Sequence, residues 1–243
     1  MNLIIEQGNS ATKVAVFNFG EIVYSSVCKD LNECDLSRVL DMFPSENGIV
    51  SSVIETNHKQ IQYLKKTLKR FFLMDEDLRL PIDIRYQTPE TLGQDRIAIA
   101  VGANFIQPAT DLLVIDAGTA ITYEVIISHG IYLGGNISPG MTTRFRALNR
   151  FTKQLPLVSE QADVPLLGTS TETAILAGVV NGIVYEMDGY IDELRSKYQG
   201  LYVFLTGGNA FYFEKRLKNT IFAVSNLALI GLNRILEYNV KTE

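Results

Sequence analysis

The sequence predicts an α/β fold made of two copies of one β-β-β-α-β-α unit, and three observations lead to it. Laid on itself with an offset of 110 residues, Leu3-Ile4-Ile5-Glu6-Gln7-Gly8 falls on Leu113-Val114-Ile115-Asp116-Ala117-Gly118. Each copy is an apolar strand that ends in a carboxylate and a tight glycine turn, followed by a second strand rich in β-branched residues. The rest of each half alternates strand-like and helix-like patterns. In the same alignment Thr12 meets Thr122, Val16 meets Ile126 and Gly20 meets Gly130. Residue type, spacing and order agree over more than one hairpin, which reads as a duplication rather than two coincident turns.

The elements follow in order. Asn18-Phe19-Gly20-Glu21 in the first half and Ser128-His129-Gly130 in the second are turns into a third strand. Ile49–Ile54 reads as a buried strand. Ile61, Leu64, Leu68 and Phe71 recur at spacings of three and four with lysines opposite, the mark of an amphipathic helix. Asp95 stands at the start of a helix carrying the apolar run Ile97 to Phe105. In the second half Thr171 opens a helix through Ala174, Ile175, Val179, Ile183 and Met187. Leu201–Leu205 is a strand that ends in Thr206-Gly207-Gly208, and a last helix runs from Asn226 to about Glu237. With no Pro/Ser linker between them, the halves are expected to be domains of residues 1–110 and 111–243.

Composition narrows the function. The 243 residues are 47% hydrophobic and 20% charged, as in an ordinary globular enzyme. A net charge of −5, from 22 basic and 27 acidic residues, supplies no basic field for nucleic acid or anionic lipid. Cys28 and Cys34 have neither metal-ligand spacing nor partners elsewhere, which suits a reducing cytoplasm. Met1-Asn2-Leu3-Ile4-Ile5-Glu6 lacks a basic n-region and reads as a first strand, and no apolar stretch has the length of a membrane span.

Five motifs carry chemistry. Glu6-Gln7-Gly8-Asn9-Ser10, with Ala11, Thr12 and Lys13 after it, offers backbone N–H groups at a glycine turn, side-chain donors and one cation. Alone, it reads better as an ordinary hairpin with a polar tip. Asp116-Ala117-Gly118-Thr119-Ala120 repeats the design, and two such turns facing each other across a cleft would hold a triphosphate from both sides. Gly93-Gln94-Asp95-Arg96 sets a carboxylate beside a guanidinium, either a base with an anion site or a capping aspartate with an exposed arginine. Gly134-Gly135-Asn136-Ile137-Ser138-Pro139-Gly140 is too rich in glycine and proline for a plain strand or helix. It is a loop backing the site or a turn into a helix near Arg144 and Arg146. Thr206-Gly207-Gly208 is either a place for a nucleotide base or ribose, or a tight strand–helix turn.

Taken in this order, from Leu3 to about Leu236, the motifs resemble the type III pantothenate kinase family. Tyr86, seven residues before Gly93, and Thr171, within Gly168-Thr169-Ser170-Thr171-Glu172-Thr173-Ala174, also match positions where that family contacts substrate. The resemblance implies a duplicated actin-like (ribonuclease H-like) fold with an intervening cleft. It implies an ATP-dependent phosphotransferase that converts pantothenate to 4'-phosphopantothenate, the first step of coenzyme A synthesis. Glu6, Gln7, Gly8, Asn9, Ser10, Ala11, Thr12 and Lys13 would then cradle the ATP phosphates, with Thr119 helping from the second turn. Tyr86, Gly93, Gln94, Asp95, Arg96 and Thr171 would hold pantothenate, and Asp95 would be the general base. Asp116 would bind a monovalent cation, K⁺ or NH₄⁺, and Glu6 would contact Mg²⁺ through water. Family members are homodimers with the substrate pocket close to the subunit interface. Glu6 departs from the family's usual aspartate, which alters the magnesium contact more than the function. The alternative, a non-catalytic or regulatory relative, would expect loss of Asp95 or of the second glycine turn, and both are present.

Overall fold

The computed structural model describes residues 1–54, 57–74 and 78–242. The chain forms two compact units. The first takes Met1–Ala109, His129–Tyr132 and Asn226–Glu243; the second takes Thr110–Ser128 and Leu133–Ser225.

Unit 1 begins with β1 (Asn2–Gln7), β2 (Thr12–Asn18) and β3 (Glu21–Cys28), followed by α1 (Glu33–Met42), β4 (Asn47–Ser52), α2 (His58–Thr67) and β5 (Arg70–Leu73). They form a five-stranded sheet of order β3-β2-β1-β4-β5, with β1 antiparallel to β2 and parallel to β4. The alternate residues Leu3, Ile5, Val14 and Val16 share one face and bury against Leu36, Val39 and Leu40 of α1 and Leu64 of α2. Each such side chain contributes about 1.5–3 kcal/mol by leaving water. Strand β3 alternates exposed and half-buried positions, as an edge strand with a single covered face does. The unit also holds α3 (Gln94–Ile106) and α7 (Leu227–Thr242), which pack closely on each other, and α7 lies against β1 and β4. The helices meet at Gly231, where a Cβ would sit 1.8 Å from the Ala98 carbonyl oxygen, so no larger residue fits. This contact draws α7 into unit 1, although it follows the second repeat in the chain. A short strand, β6 (Asp83–Ile84), pairs in parallel with Ile131 and Tyr132.

Unit 2 repeats the plan. Strands β7 (Leu112–Ala117), β8 (Ala120–Ile127) and β9 (Ile131–Pro139) lead to α4 (Met141–Phe151), α5 (Thr171–Lys197), β10 (Tyr202–Thr206), α6 (Ala210–Glu214) and β11 (Phe222–Ala223). The six-stranded sheet has the order β11-β10-β7-β8-β9-β6, so β7 occupies the place of β1 and β10 that of β4. Leu113 and Ile115 bury against Ile183 and Met187 of α5, a helix opened by a capping box between Ser170 and Thr173.

Four details differ from the sequence reading. The two halves pair Leu3 with Val16 and Leu113 with Val125, because the first turn spans residues 8–11 and the second only 118–120. The equivalents of Thr12 and Val16 are therefore Ile121 and Val125, not Thr122 and Ile126. The helix expected through Phe71 ends at Thr67, and Phe71 pairs with Gly48 in β5. Its apolar ring satisfies a strand beside β4 as well as it would a helix face. The segment Gly134–Pro139 is the body of β9, its proline at the strand end where no ladder donor is needed. Helix α1, closed by a capping box between Asn32 and Asp35, was signalled by Asn32-x-x-Asp35 ahead of Leu36, Val39 and Leu40.

Candidate active site

In unit 1 the first turn closes through Gly8 N donating to the Ala11 carbonyl at 3.0 Å, which leaves Asn9 and Ser10 exposed at its tip. Gln7 and Thr12 are buried, so what they can offer a ligand is main chain. Glu6 and Lys13 are cross-strand partners, and Lys13 Nζ lies 3.1 Å from Glu6 Oε2. The lysine thus stands at the turn with its charge already matched by the strand-end carboxylate.

The Gly93-Gln94-Asp95-Arg96 segment comes to the same strand ends. Gln94 Oε1 accepts from Ser51 Oγ at 3.5 Å and from Ser52 N at 3.4 Å, and these serines are the β4 partners of Glu6 and Gln7. Gly93 is the N-cap of α3, so Asp95 sits inside the first turn rather than capping it. Asp95 Oδ1 accepts from Arg96 N at 2.9 Å, a bond in which Oδ2 takes no part. Arg96 is only 5% exposed, which rules out the solvent-facing arginine of the simpler reading. Its guanidinium lies 5.7 Å from the centre of the Tyr86 ring, which in turn meets Tyr132 edge-on at 6.2 Å. Tyr86 and Arg96, 10 residues apart in sequence, meet beside Asp95 in the segment that Gln94 anchors.

In unit 2 the second turn closes in the same way, Gly118 N to the Ala120 carbonyl at 3.0 Å, with Thr119 exposed. Asp116 is next to last in β7, and its cross-strand neighbours are Thr122 and Thr206. The Thr206-Gly207-Gly208 turn folds directly onto it: Gly207 has φ +93°, and a Cβ there would lie 2.2 Å from Asp116 Oδ1. Asn209 N donates to the Ala117 carbonyl at 2.9 Å, joining the two turns. Thr171 is the first residue of α5 and is exposed. It lines an apolar cavity of about 690 Å³ together with Arg144, Leu148, Leu155, Ile175 and Val179.

Sequence reasoning passed over one polar cluster here. Tyr123, Arg144 and Glu186 lie on β8, α4 and α5, with Tyr123 Oη donating to Glu186 Oε1 at 2.8 Å and Arg144 paired with Glu186 Oε2. Burial pushes the Tyr123 hydroxyl pKa up, and the Glu186 carboxylate adds to the effect. Burial also raises that of Glu186, but hydrogen bonds from Arg144, Tyr123 and Ser138 outweigh it and hold the carboxyl below its ordinary value. A glutamate between Ile183 and Met187 on a largely apolar helix was the available signal.

Each glycine turn presents exposed hydroxyls or amides beside a carboxylate of the hard-oxygen type, chemistry that suits phosphate together with Mg²⁺ or a monovalent cation. Among the described residues no three His, Cys, Asp or Glu side chains converge, so a divalent ion would draw most of its ligands from water and phosphate.

Comparison with known proteins identifies relatives along nearly the whole chain. A family model described as type III pantothenate kinase matches residues 2–193. A type III pantothenate kinase of Phocaeicola vulgatus is 48% identical over 244 residues, covering 99% of this chain and 100% of its own. Among solved structures, one named as a 2-dehydro-3-deoxygalactonokinase of Sinorhizobium meliloti superposes with a TM-score of 0.60 at 13% identity, covering 100% and 99% of the two chains. One named as a Baf family transcriptional activator of Campylobacter jejuni gives 0.61 at 24% identity, covering 98% and 99%. At such identities these two speak for the fold alone, which is the duplicated actin-like one.

Proposed function

The chain belongs to the type III pantothenate kinase family, and from that premise we propose how its residues carry out phosphoryl transfer to pantothenate. Kinase activity on pantothenate follows from relatives of that name over nearly the full chain, at 41–48% identity. The observation that supports the assignment of roles is the Gln94 side chain, which ties the Asp95 segment to the β4 residues beside Glu6 and Gln7.

ATP with Mg²⁺ supplies the transferable γ-phosphoryl group and the cation that spreads its charge. The turn from Glu6 to Lys13 receives the phosphates through main-chain N–H groups and the Asn9 and Ser10 side chains, and Thr119 does so from the second turn. Glu6 would hold Mg²⁺ through water, and Asp116 would hold K⁺ or NH₄⁺, each offsetting phosphate charge. Tyr86, Gly93 to Arg96 and Thr171 hold pantothenate. Arg96, packed under Tyr86 and shielded from water, attracts the anionic substrate more strongly than an exposed arginine would. Asp95 accepts the hydroxyl proton as the new phosphorus–oxygen bond forms and the bond to the ADP leaving group breaks. The two repeats, residues 1–110 and 111–243, are related by duplication, although the last helix of the second packs within unit 1. The protein is a cytoplasmic homodimer that pairs through α5, where Tyr185 is 61% exposed and Tyr190 36%.

The test is phosphorylation of pantothenate by purified protein with Mg-ATP, in potassium and in sodium-only buffer. Phosphopantothenate should form, and faster in potassium. No product would overturn the activity; equal rates in the two buffers would overturn the cation role of Asp116.

A further inference from the structure

The reaction as described leaves the Tyr123–Glu186–Arg144 cluster unused, yet the cluster leads to the second turn. The Arg144 guanidinium, paired with Glu186, also donates from Nη2 to Ser138 Oγ at 2.7 Å and from Nε to the Pro139 carbonyl at 2.7 Å. The next residue, Gly140, donates its N–H to the Thr119 carbonyl at 3.0 Å, and Thr143 Oγ1 donates to the same oxygen at 2.7 Å. Hydrogen bonds, joined by the main chain of residues 138–144, thus link α5 to the Thr119 carbonyl.

Packing alone does not call for this chain. Met141 and Phe145 already bury the inner face of α4, and a partly buried ion pair is often no more stabilising than apolar residues of similar volume. What the polar chain adds is direction. One planar guanidinium, held by Glu186 of α5, fixes Ser138 and Pro139 at the end of β9 against α4 at set distances, which a greasy contact would leave free to slide.

We propose that Arg144 and Glu186, supported by Tyr123, are positioning residues of the kinase: they hold the first turn of α4 on the Thr119 carbonyl and so fix the 116–119 turn for ATP. The inference rests on the reading of that turn as a phosphate site. A turn displaced by a fraction of an ångström loses alignment with the phosphates, while the pantothenate contacts of Tyr86 and residues 93–96 stay in place.

The experiment compares steady-state KM values and thermal midpoints of wild type, Glu186→Gln, Tyr123→Phe and the double variant Arg144→Met/Glu186→Met. Glu186→Gln should raise the KM for ATP about tenfold, with that for pantothenate changed less than about twofold. Tyr123→Phe, which loses one hydrogen bond and should fold normally, should raise the ATP KM by about two- to threefold. The double variant should recover the thermal midpoint but keep the raised ATP KM, since it restores packing without direction. Recovery of both by the double variant, or a shift in the pantothenate KM instead of the ATP KM, overturns the inference. Thr119→Ala separates the two levels. If it leaves the ATP KM unchanged, the phosphate-site reading falls and the inference with it; if it raises the ATP KM while Glu186→Gln does not, only the inference falls.

Discussion

The two units share a strand order and differ in what stands beside each strand-end carboxylate. In unit 1, Glu6 faces Lys13 across the hairpin at 3.1 Å, and the turn between them has room for four residues, 8–11. In unit 2, Asp116 faces Thr122, the turn is one residue shorter, and a second glycine turn at Gly207 closes over the carboxylate. The longer acid reaches its own cation; the shorter one stays at the strand end, enclosed by backbone. Unit 1 also carries the Asp95 cluster, tied to the same strand ends by Gln94. Duplication thus kept the frame and divided the labour. The first copy holds the proposed base Asp95 and the turn proposed to take most of the ATP phosphates, and the second adds Thr119, the proposed cation site at Asp116, and Thr171.

The strongest way to break this division is Asp95→Asn. An alcohol's pKa lies far above that of a carboxylate, so Asp95 cannot ionise the hydroxyl beforehand. It can accept the proton late and orient the oxygen for in-line attack. Asparagine keeps the shape and the acceptor for Arg96 N but cannot take the proton. The expected outcome is a fall in kcat of about 10²–10⁴ with pantothenate affinity little changed, read from steady-state kinetics and direct binding. Near-normal kcat would return Asp95 to a helix-start residue and move the chemistry out of unit 1.

A smaller effect should follow from Gly207→Ala in unit 2. The backbone there is left-handed at φ +93°, and the new methyl would meet Asp116 Oδ1 at 2.2 Å and the Ala117 main chain at 2.7 Å. Backbone strain and overpacking together should cost about 2–4 kcal/mol of stability. The ATP KM should rise severalfold while kcat falls less than in Asp95→Asn. Gly208→Ala is the matched control, since nothing lies within 4 Å of its Cβ position. Equal behaviour of the two alanine variants in urea unfolding and ATP kinetics would show that the Gly207 turn does not shape the Asp116 site.

The division was partly legible in the sequence. Apolar runs ending in Glu6 and Asp116, each before glycine, announced the duplication, because strand-turn chemistry is local. Thr171 at the head of α5 was equally readable from its cap and apolar period. The one-residue difference between turns was not: an ungapped offset realigns at Gly20 and Gly130, since the loop between β8 and β9 is a residue longer than that between β2 and β3. The β9 segment was misjudged because glycine and proline lower strand propensity, whereas here the strand is fixed by its neighbours and by Arg144. The Arg96–Tyr86 and Glu186–Arg144 contacts join residues 10 and 42 apart in the chain, and no periodicity records such pairings.

The mildest change sharpens the comparison furthest. Glu6→Asp makes the first carboxylate resemble the second, withdrawing it by about one bond length and so breaking direct contact with Lys13. The side chains of Lys13 and Glu6 are 34% and 17% exposed, and a pair so open to water contributes at most about 1 kcal/mol. Stability should therefore change by less than that. Magnesium keeps most of its waters when bound by one or two carboxylates, so an aspartate can hold the same shell with a water shifted. Turnover of Glu6→Asp should stay within about twofold of wild type. Glu6→Ala removes the acceptor altogether and should raise the magnesium concentration needed for half-maximal rate. An alanine variant with an unchanged magnesium requirement would make Glu6 merely the partner of Lys13, and the two carboxylates would then differ in kind rather than in reach.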